Sequence, residues 1–329
     1  MKKIKYLLPL LLLVLSSCNR TPTSSSELII SSEEVISTTS ENDVTSSTTS
    51  FATSEESGSS SLSSVLSSEK ESFSSDSSSE KESSSTETSI IQTGYYSGID
   101  INSTGATLMN ALHKKIKSFT SVSYDALKEH YKTTDNNNGY FWDMYSNKKY
   151  PITQAVCSNY SKEGDGWNRE HSIPQSWFNK SSPMKSDIFH VYPTDAKVNG
   201  VRSNYPFGEV KNATYTSSNG CKLGSNAGSG PSTVFEPCDE YKGDFARTYF
   251  YFATCYMNKT INSGEGSSVF TGSMSYPKLT TYSINLFLKW HEQDPVSEKE
   301  INRNEACYGI QKNRNPFIDH PSFAQQIWG

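Results

Sequence analysis

Residues 168–178 read NREHSIPQSWF, residues 187–195 read DIFHVYPTD and residues 199–205 read NGVRSNY. These segments hold the densest cluster of reactive side chains in the chain. Hydrolysis of a phosphodiester needs a base for water and a cation that neutralises the charge developing on the phosphorus oxygens. His171 can be that base near neutral pH. Glu170 and Asn199 supply the hard oxygen ligands that Mg²⁺ prefers.

The order of these residues predicts a strand, a loop and a helix around one metal ion. Neighbouring side chains of a strand point to opposite sides, so Glu170 and His171 can serve one site only where the strand bends or ends. Pro174 supports such a junction. A helix that starts near Pro193 would carry Asn199 back past the histidine.

Helical periodicity indicates that the rest of the domain is mainly helical. Apolar residues recur at helical spacing in residues 108–116 and 124–131. Residues 240–257 are apolar on most sides and predict a central buried helix, in which Arg247 would need an anionic partner. Residues 284–291 predict an amphipathic helix, and Ser297 with Glu300 forms a capping-box pattern. Because the strands are expected to be short, the predicted fold class is α+β.

The N-terminal residues predict export and a lipid anchor. A cationic start precedes an apolar run at residues 6–15 that is too short to span a bilayer, and Leu-Ser-Ser-Cys then resembles a lipobox. We therefore expect residues 1–17 to be a lipoprotein signal peptide and Cys18 to carry the diacylglyceryl group. The alternative is a plain cleaved signal in which Cys18 occurs by chance.

Composition divides the mature chain into a tether and a domain. Residues 18–92 are dominated by Ser, Thr and Glu, and we expect them to be disordered because they cannot bury enough apolar surface. Residues 21–92 carry 13 acidic residues and 2 Lys, which leaves 24 basic and 22 acidic residues for the domain at 93–329. A net charge of about +2 neither indicates nor excludes a polyanionic substrate.

The domain contains an odd number of cysteines, so that at most two disulfides can form. Cys221 and Cys238 bracket a loop rich in Gly and Ser, and we expect them to be paired. No Cys-x-x-Cys pair occurs, which argues against a structural zinc site.

The quoted segments resemble the endonuclease I family of secreted bacterial nucleases, which belongs to the ββα-metal or His-Me finger group. Three further stretches support the resemblance, which extends over most of residues 95–329: DFAR at 244–247, KWHEQDP at 289–295 and NRNPFIDHP at 313–321. Together these motifs are specific, whereas an isolated Glu-His pair would prove nothing.

This resemblance implies a ββα-metal motif with His171 as the base and Glu170 and Asn199 as the metal ligands. It further implies non-sequence-specific cleavage of DNA, and often of RNA, to 5′-phosphate products. Mg²⁺ is the expected metal, with Mn²⁺ or Ca²⁺ as substitutes. The family also places an arginine near the scissile phosphate. Its match here is open among Arg202, then Arg247, then Lys185.

The sequence thus predicts a monomeric nuclease at the cell surface, attached to the membrane only through its lipid anchor. One alternative is a binding or adhesion lipoprotein on a nuclease scaffold. Another is a phosphodiesterase for small or lipid phosphates. His190 and Asp195 are expected to have structural roles around the site. The aromatic residues at 140–150 are expected to pack in the core rather than to stack on bases.

Overall fold

The computed structural model describes residues 94–329. The expected signal peptide, Cys18 and the expected tether lie outside the described residues. Within this range the α-helices are Gly105–Ile116 (α1), Leu127–Thr134 (α2), Ala196–Arg202 (α3), Lys242–Cys255 (α4), Thr281–Gln293 (α5), Glu298–Gln311 (α6), Pro316–Asp319 (α7) and Ser322–Trp328 (α8).

The strands of this part of the chain are short and antiparallel. They are Asn136–Asn137 (β1), Tyr140–Phe141 (β2), Trp167–His171 (β3), Val191–Asp195 (β4), Val210–Thr216 (β5), Lys222–Asn226 (β6) and Thr233–Glu236 (β7). They form the sheets β1-β2, β3-β4 and β5-β6-β7. Long helices with short strands confirm the predicted α+β class.

Helix α4 lies at the centre of the core, and all of its residues are buried. Its aromatic side chains pack against α5, where the ring centroids of Tyr249 and Phe287 are 4.5 Å apart. On another side Phe250 stacks on Trp328 of α8 at 4.8 Å. The prediction of a central buried helix is therefore confirmed, because a helix that is apolar on most sides is stable only when it is surrounded.

The other predicted helices are also present, with one shift. Helices α1 and α5 cover the periodic segments that predicted them. Helix α2 begins at Leu127, so that Tyr124 lies in the preceding turn. The capping box at the start of α6 is formed, with Ser297 accepting from the backbone N–H of Glu300 and the Glu300 side chain accepting from that of Ser297.

Helix α6 holds the segment that leads into β4. The Gln311 side chain accepts a hydrogen bond from the backbone N–H of Ile188 (2.8 Å) and donates one to the carboxylate of Asp187 (3.0 Å). Arg303 donates to the carbonyl oxygen of Ile188 (2.7 Å) and forms a buried ion pair with Asp135 at 2.9 Å. These contacts fix the backbone directly before one strand of the β3-β4 sheet.

Each cysteine in residues 94–329 is a free thiol, including the expected pair. Cys221 and Cys238 are nevertheless neighbours, because the backbone N–H of Cys238 donates to the Cys221 sulfur at 3.4 Å. Among the described residues, no helix combines the length and the apolar character needed to cross a membrane.

Candidate active site

The candidate site is built on the antiparallel pair β3-β4 and on α3, which follows β4 without a break. Asp195 ends β4 and caps α3, because its side chain accepts hydrogen bonds from the backbone N–H groups of Lys197 (2.8 Å) and Val198 (3.0 Å). The helix therefore begins at Ala196. The expected start near Pro193 is corrected, since that residue lies inside β4.

His171 is the last residue of β3, at the kind of junction that the sequence requires. Its Nε2 lies 3.0 Å from the carbonyl oxygen of Lys185. A carbonyl oxygen can only accept, so Nε2 carries the ring proton and Nδ1 keeps its lone pair. Burial lowers the pKa of His171 to about 3, which keeps the ring neutral near pH 7. A neutral imidazole in this tautomer can take a proton from water at Nδ1.

Glu170 is buried beside His171 and is held by two donors. Its Oε1 accepts hydrogen bonds from the hydroxyl of Tyr145 (2.8 Å) and from Nη1 of Arg202 (2.6 Å). Burial raises the pKa of Glu170, while the guanidinium and the hydroxyl oppose that rise. Within residues 94–329 both hydrogen bonds end on Oε1, which leaves Oε2 for another ligand.

Asn199 lies on α3 and faces β3. Its Nδ2 donates to Oδ1 of Asn168 (2.7 Å) and to the carbonyl oxygen of Arg169 (3.2 Å). The carbonyl can only accept, so these contacts fix the orientation of the amide. Because Nδ2 faces Asn168 and Arg169, the amide oxygen Oδ1 faces away from them and can serve as a metal ligand.

These residues fit a hard divalent cation that keeps most of its water. Oε2 of Glu170 and Oδ1 of Asn199 accept no hydrogen bond among the described residues, so both oxygens are available as ligands. Among residues 94–329, this unit included, no cluster of three or more His, Cys, Asp or Glu side chains is arranged to hold a metal. Two oxygen ligands with water at the other positions suit Mg²⁺ better than Zn²⁺, which prefers nitrogen and sulfur.

Arg202 and Arg247, the first two candidates for the phosphate contact, both face protein carboxylates in the interior of the domain. Both are fully buried. Arg202 donates to Glu170 and to the carbonyl oxygens of His171 (2.7 Å) and Ser172 (2.6 Å). Arg247 is paired with Glu300, at 2.5 Å from Nε and 2.7 Å from Nη2. A buried guanidinium needs such partners, and among the described residues they occupy every nitrogen of the two side chains except Nε of Arg202.

Tyr124, Arg169 and Lys185 form a cationic and aromatic cluster beside the candidate base. The Tyr124 ring stacks on His171 at 5.8 Å between centroids. Arg169 Cζ and Lys185 Nζ lie 4.4 and 4.8 Å from the centroid of the same ring. Lys185 was the third candidate for the phosphate contact. The sequence analysis did not identify Tyr124 or Arg169 as site residues. The one available signal was the alternation of side chains along β3, which places Arg169 on the opposite face from Asn168 and Glu170.

His190 and Asp195 have structural roles, in agreement with the sequence. His190 is fully buried, with Nε2 2.5 Å from the carbonyl oxygen of Met184, and burial lowers its pKa to about 3. Asp195 caps α3 and also accepts hydrogen bonds from the Tyr150 hydroxyl and from the backbone N–H of Gly164. Neither side chain is open to a substrate.

Comparison with known proteins finds a match to the family model for endonuclease I over residues 104–322. The chain is similar to an extracellular ribonuclease of Bacillus amyloliquefaciens, with 36% identity over 239 residues, covering 68% of this chain and 74% of the relative. It is similar to an extracellular ribonuclease of Bacillus subtilis (strain 168), with 35% identity over 249 residues, 71% of this chain and 78% of the relative. A periplasmic deoxyribonuclease of Aeromonas hydrophila is 28% identical over 142 residues, 43% of this chain and 49% of the relative.

Proposed function

Because this chain belongs to the endonuclease I family, we propose that it is a secreted, lipid-anchored endonuclease that hydrolyses nucleic acid with one divalent metal ion. The observation that carries the proposal is the tautomer of His171. Its Nε2–H is bound to the Lys185 carbonyl, so that Nδ1 keeps the lone pair that can accept a proton. We propose that β3, β4 and α3 together form a ββα-metal motif.

Glu170 and Asn199 would hold the metal ion through their side-chain oxygens. When bound, Mg²⁺, or Mn²⁺ or Ca²⁺ in its place, supplies positive charge to the phosphate oxygens and polarises water. Arg202 and Tyr145 keep the carboxylate of Glu170 in position from the protein interior. Two protein ligands leave the remaining positions to water and substrate, as is usual for Mg²⁺ in nucleic-acid enzymes.

His171 acts as the general base in this proposal. A water molecule gives a proton to Nδ1 and its oxygen bonds to phosphorus, while the bond from phosphorus to the 3′ oxygen breaks. The 3′ oxygen takes a proton from water, so that the products carry a 5′-phosphate and a 3′-hydroxyl. The Lys185 carbonyl keeps the ring oriented, and it stabilises the doubly protonated ring because its hydrogen bond strengthens when the ring is charged.

Arg169 and Lys185 are the cations that we assign to the substrate phosphate. Both lie against Tyr124, which stacks on the candidate base, and neither is committed to a buried carboxylate. The carboxylate nearest to Arg169 is that of Asp125, at 3.7 Å, which is 91% exposed. Because the pair is long and the Asp125 carboxylate is exposed, a phosphate can replace that carboxylate at little cost.

The substrate class is nucleic acid, with both DNA and RNA proposed. Two relatives that share most of their length with this chain are named extracellular ribonucleases, and a third is named a periplasmic deoxyribonuclease. The site holds no feature that would require a 2′-hydroxyl for the proposed chemistry, because water is the nucleophile. Parallel assays on matched DNA and RNA oligonucleotides decide the preference.

The decisive experiment is nicking of supercoiled plasmid by the purified protein in Mg²⁺ or in EDTA. We expect metal-dependent cleavage that is lost in His171→Ala and kept in His130→Ala, a control on α2 outside the site. DNA that is bound but intact would instead support the binding lipoprotein. Hydrolysis of bis(p-nitrophenyl) phosphate without nicking would support the small-phosphodiester alternative.

The anchor is tested separately by labelling growing cells with radioactive palmitate. We expect the mature protein to be labelled and Cys18→Ser to be unlabelled, with the wild type in the membrane fraction. An unlabelled wild-type protein in the medium would support the plain cleaved signal.

A further inference from the structure

A groove of about 350 Å³ lies beside the candidate active site, between α2 and the loop at residues 152–156. Phe141 and Trp167 form part of its floor, and both are buried. Its volume is in the range of sites that hold small ligands or single residues of a polymer. Of the residues that line this groove, the proposed function uses only Arg169.

The rim of the groove is cationic. Lys128 and Lys132 of α2 and Arg169 of β3 line it, and Glu129 is the one carboxylate among the lining residues. Glu129 is paired with Lys132 at 2.7 Å, and both side chains are exposed to solvent. The groove therefore has an excess of positive charge although the whole domain is close to neutral, which indicates a local site for an anion.

Arg169 joins the groove to the active site. Its guanidinium lies over Tyr124, whose ring stacks on His171, and the same side chain lines the groove. Its Nε is buried without a hydrogen-bond partner among the described residues. A buried N–H group without a partner is costly, so an anion that reaches Arg169 from the groove would satisfy it.

We propose that this groove holds the nucleic-acid strand next to the cleaved bond, with Lys128 and Lys132 each contacting a backbone phosphate. The proposal rests on the proposed function, since it takes the cleaved phosphate to lie between His171 and Arg169. The strand then leaves the site along α2. Lysine contacts to phosphates carry no base information, which agrees with cleavage that is not sequence-specific.

The first test measures binding of a fluorescent 20-nucleotide single strand by anisotropy in the His171→Ala background, so that substrate binds without turnover. Lys128→Gln with Lys132→Gln is compared with Lys114→Gln with Lys211→Gln, which removes the same charge on α1 and β5. We expect the groove pair to weaken binding roughly tenfold and to lower the salt slope by about 0.7 for each lost contact. The control pair should leave both unchanged.

The second test compares substrates of different length with otherwise wild-type enzyme. For the 20-nucleotide strand, the groove pair should raise KM roughly tenfold with kcat within about twofold. For a dinucleotide, which cannot reach the groove, kcat/KM should be unchanged. An equal loss on both substrates, or an unchanged salt slope, would overturn the groove assignment.

The two proposals fail in different ways. If the wild type cleaves DNA or RNA but the groove pair binds and cleaves like the control pair, the groove proposal is wrong and the nuclease stands. If the wild type binds the long strand with the expected dependence on Lys128 and Lys132 but never cleaves it, the groove is a nucleic-acid binding site, whereas the proposed function and the place of a cleaved bond beside the groove are wrong.

Discussion

Arg202 and Glu170 form an ion pair inside the protein, with Nη1 2.6 Å from Oε1 and neither side chain more than 2% exposed. The same guanidinium binds the backbone carbonyl oxygens of His171 and Ser172. One side chain from α3 therefore holds both a candidate metal ligand and the backbone of the candidate base. Arg202 is a positioning residue in this arrangement.

Arg202→Met should destabilise the protein by about 3–5 kcal/mol, because it leaves the Glu170 carboxylate buried without its partner. Nicking activity should be lost even at temperatures where the variant is folded. Urea unfolding followed by tryptophan fluorescence measures the first effect. The double variant with Glu170→Gln should recover much of the stability but no activity. A single variant as stable as wild type would contradict the pairing.

Asn168→Ala should weaken metal binding by about 10- to 100-fold without removing a ligand. Its Oδ1 accepts the hydrogen bond that orients the amide of Asn199. A titration of nicking rate against Mg²⁺ should shift to higher concentration, with little change in the rate at saturation. Asn212→Ala on β5 is the matched control. A lower rate at saturation with an unshifted midpoint would assign another role to Asn168.

Arg247→Met should affect stability and not catalysis. Its guanidinium is paired with Glu300 and donates to the carbonyl oxygen of Asp294 at 2.8 Å, far inside the helical core. We expect a loss of about 3–5 kcal/mol, largely restored by a second change, Glu300→Gln. Activity per folded molecule should equal that of wild type. A rise in KM for DNA in the folded variant would return Arg247 to the substrate site.

Oxidised glutathione should join Cys221 and Cys238 in a disulfide. Burial raises the pKa of Cys221, whereas the neighbouring Cys221 thiol lowers the pKa of Cys238, which makes Cys238 the attacking thiolate. Each thiol loses a proton, and the electron pair reduces one glutathione disulfide to two thiols. A bridge over a loop of this length should add about 3 kcal/mol to the free energy of unfolding.

Peptide mass spectrometry after alkylation tests this disulfide. Cys221→Ala should abolish both the bridge and the added stability. Cys255→Ala should abolish neither, since Cys255 is buried against the carbonyl oxygen of Ile116 on α1. If both thiols remain open to alkylation after denaturation of the oxidised protein, the prediction fails.

Local patterns in the sequence were enough to predict most of the helices and the strand and helix on which the candidate site residues lie. Helix α4 is apolar on nearly every side and α6 carries its own capping box, so that both could be predicted without tertiary contacts. Strands β3 and β4 and helix α3 pack together in the predicted order, which brings Asn199 against Asn168 and Arg169 of β3. These three elements follow one another along the chain, so that their order alone predicts that they pack together.

Contacts between distant segments could not be predicted in the same way. Tyr145 reaches Glu170, and Tyr124 covers His171, from segments that precede β3 by many residues. Arg202 follows a metal-ligand motif on a helix, which suggests a phosphate contact. In the structure the Arg202 guanidinium points to the buried carboxylate of Glu170. The sequence does not show this contact, because it forms only when α3 packs on β3. The contacts of polar side chains were therefore harder to predict from the sequence than the packing of apolar ones.

The support that α6 gives to the segment before β4 has a consequence for when the enzyme can act. A ribosome makes the reactive residues at 170–199 long before it reaches Arg303 and Gln311, and chains fold as their N-terminal parts emerge. An unfinished chain holds the chemistry without the hydrogen bonds that order it. Activity that depends on this order therefore has to wait until residues 303–311 have been made and can pack against the segment before β4.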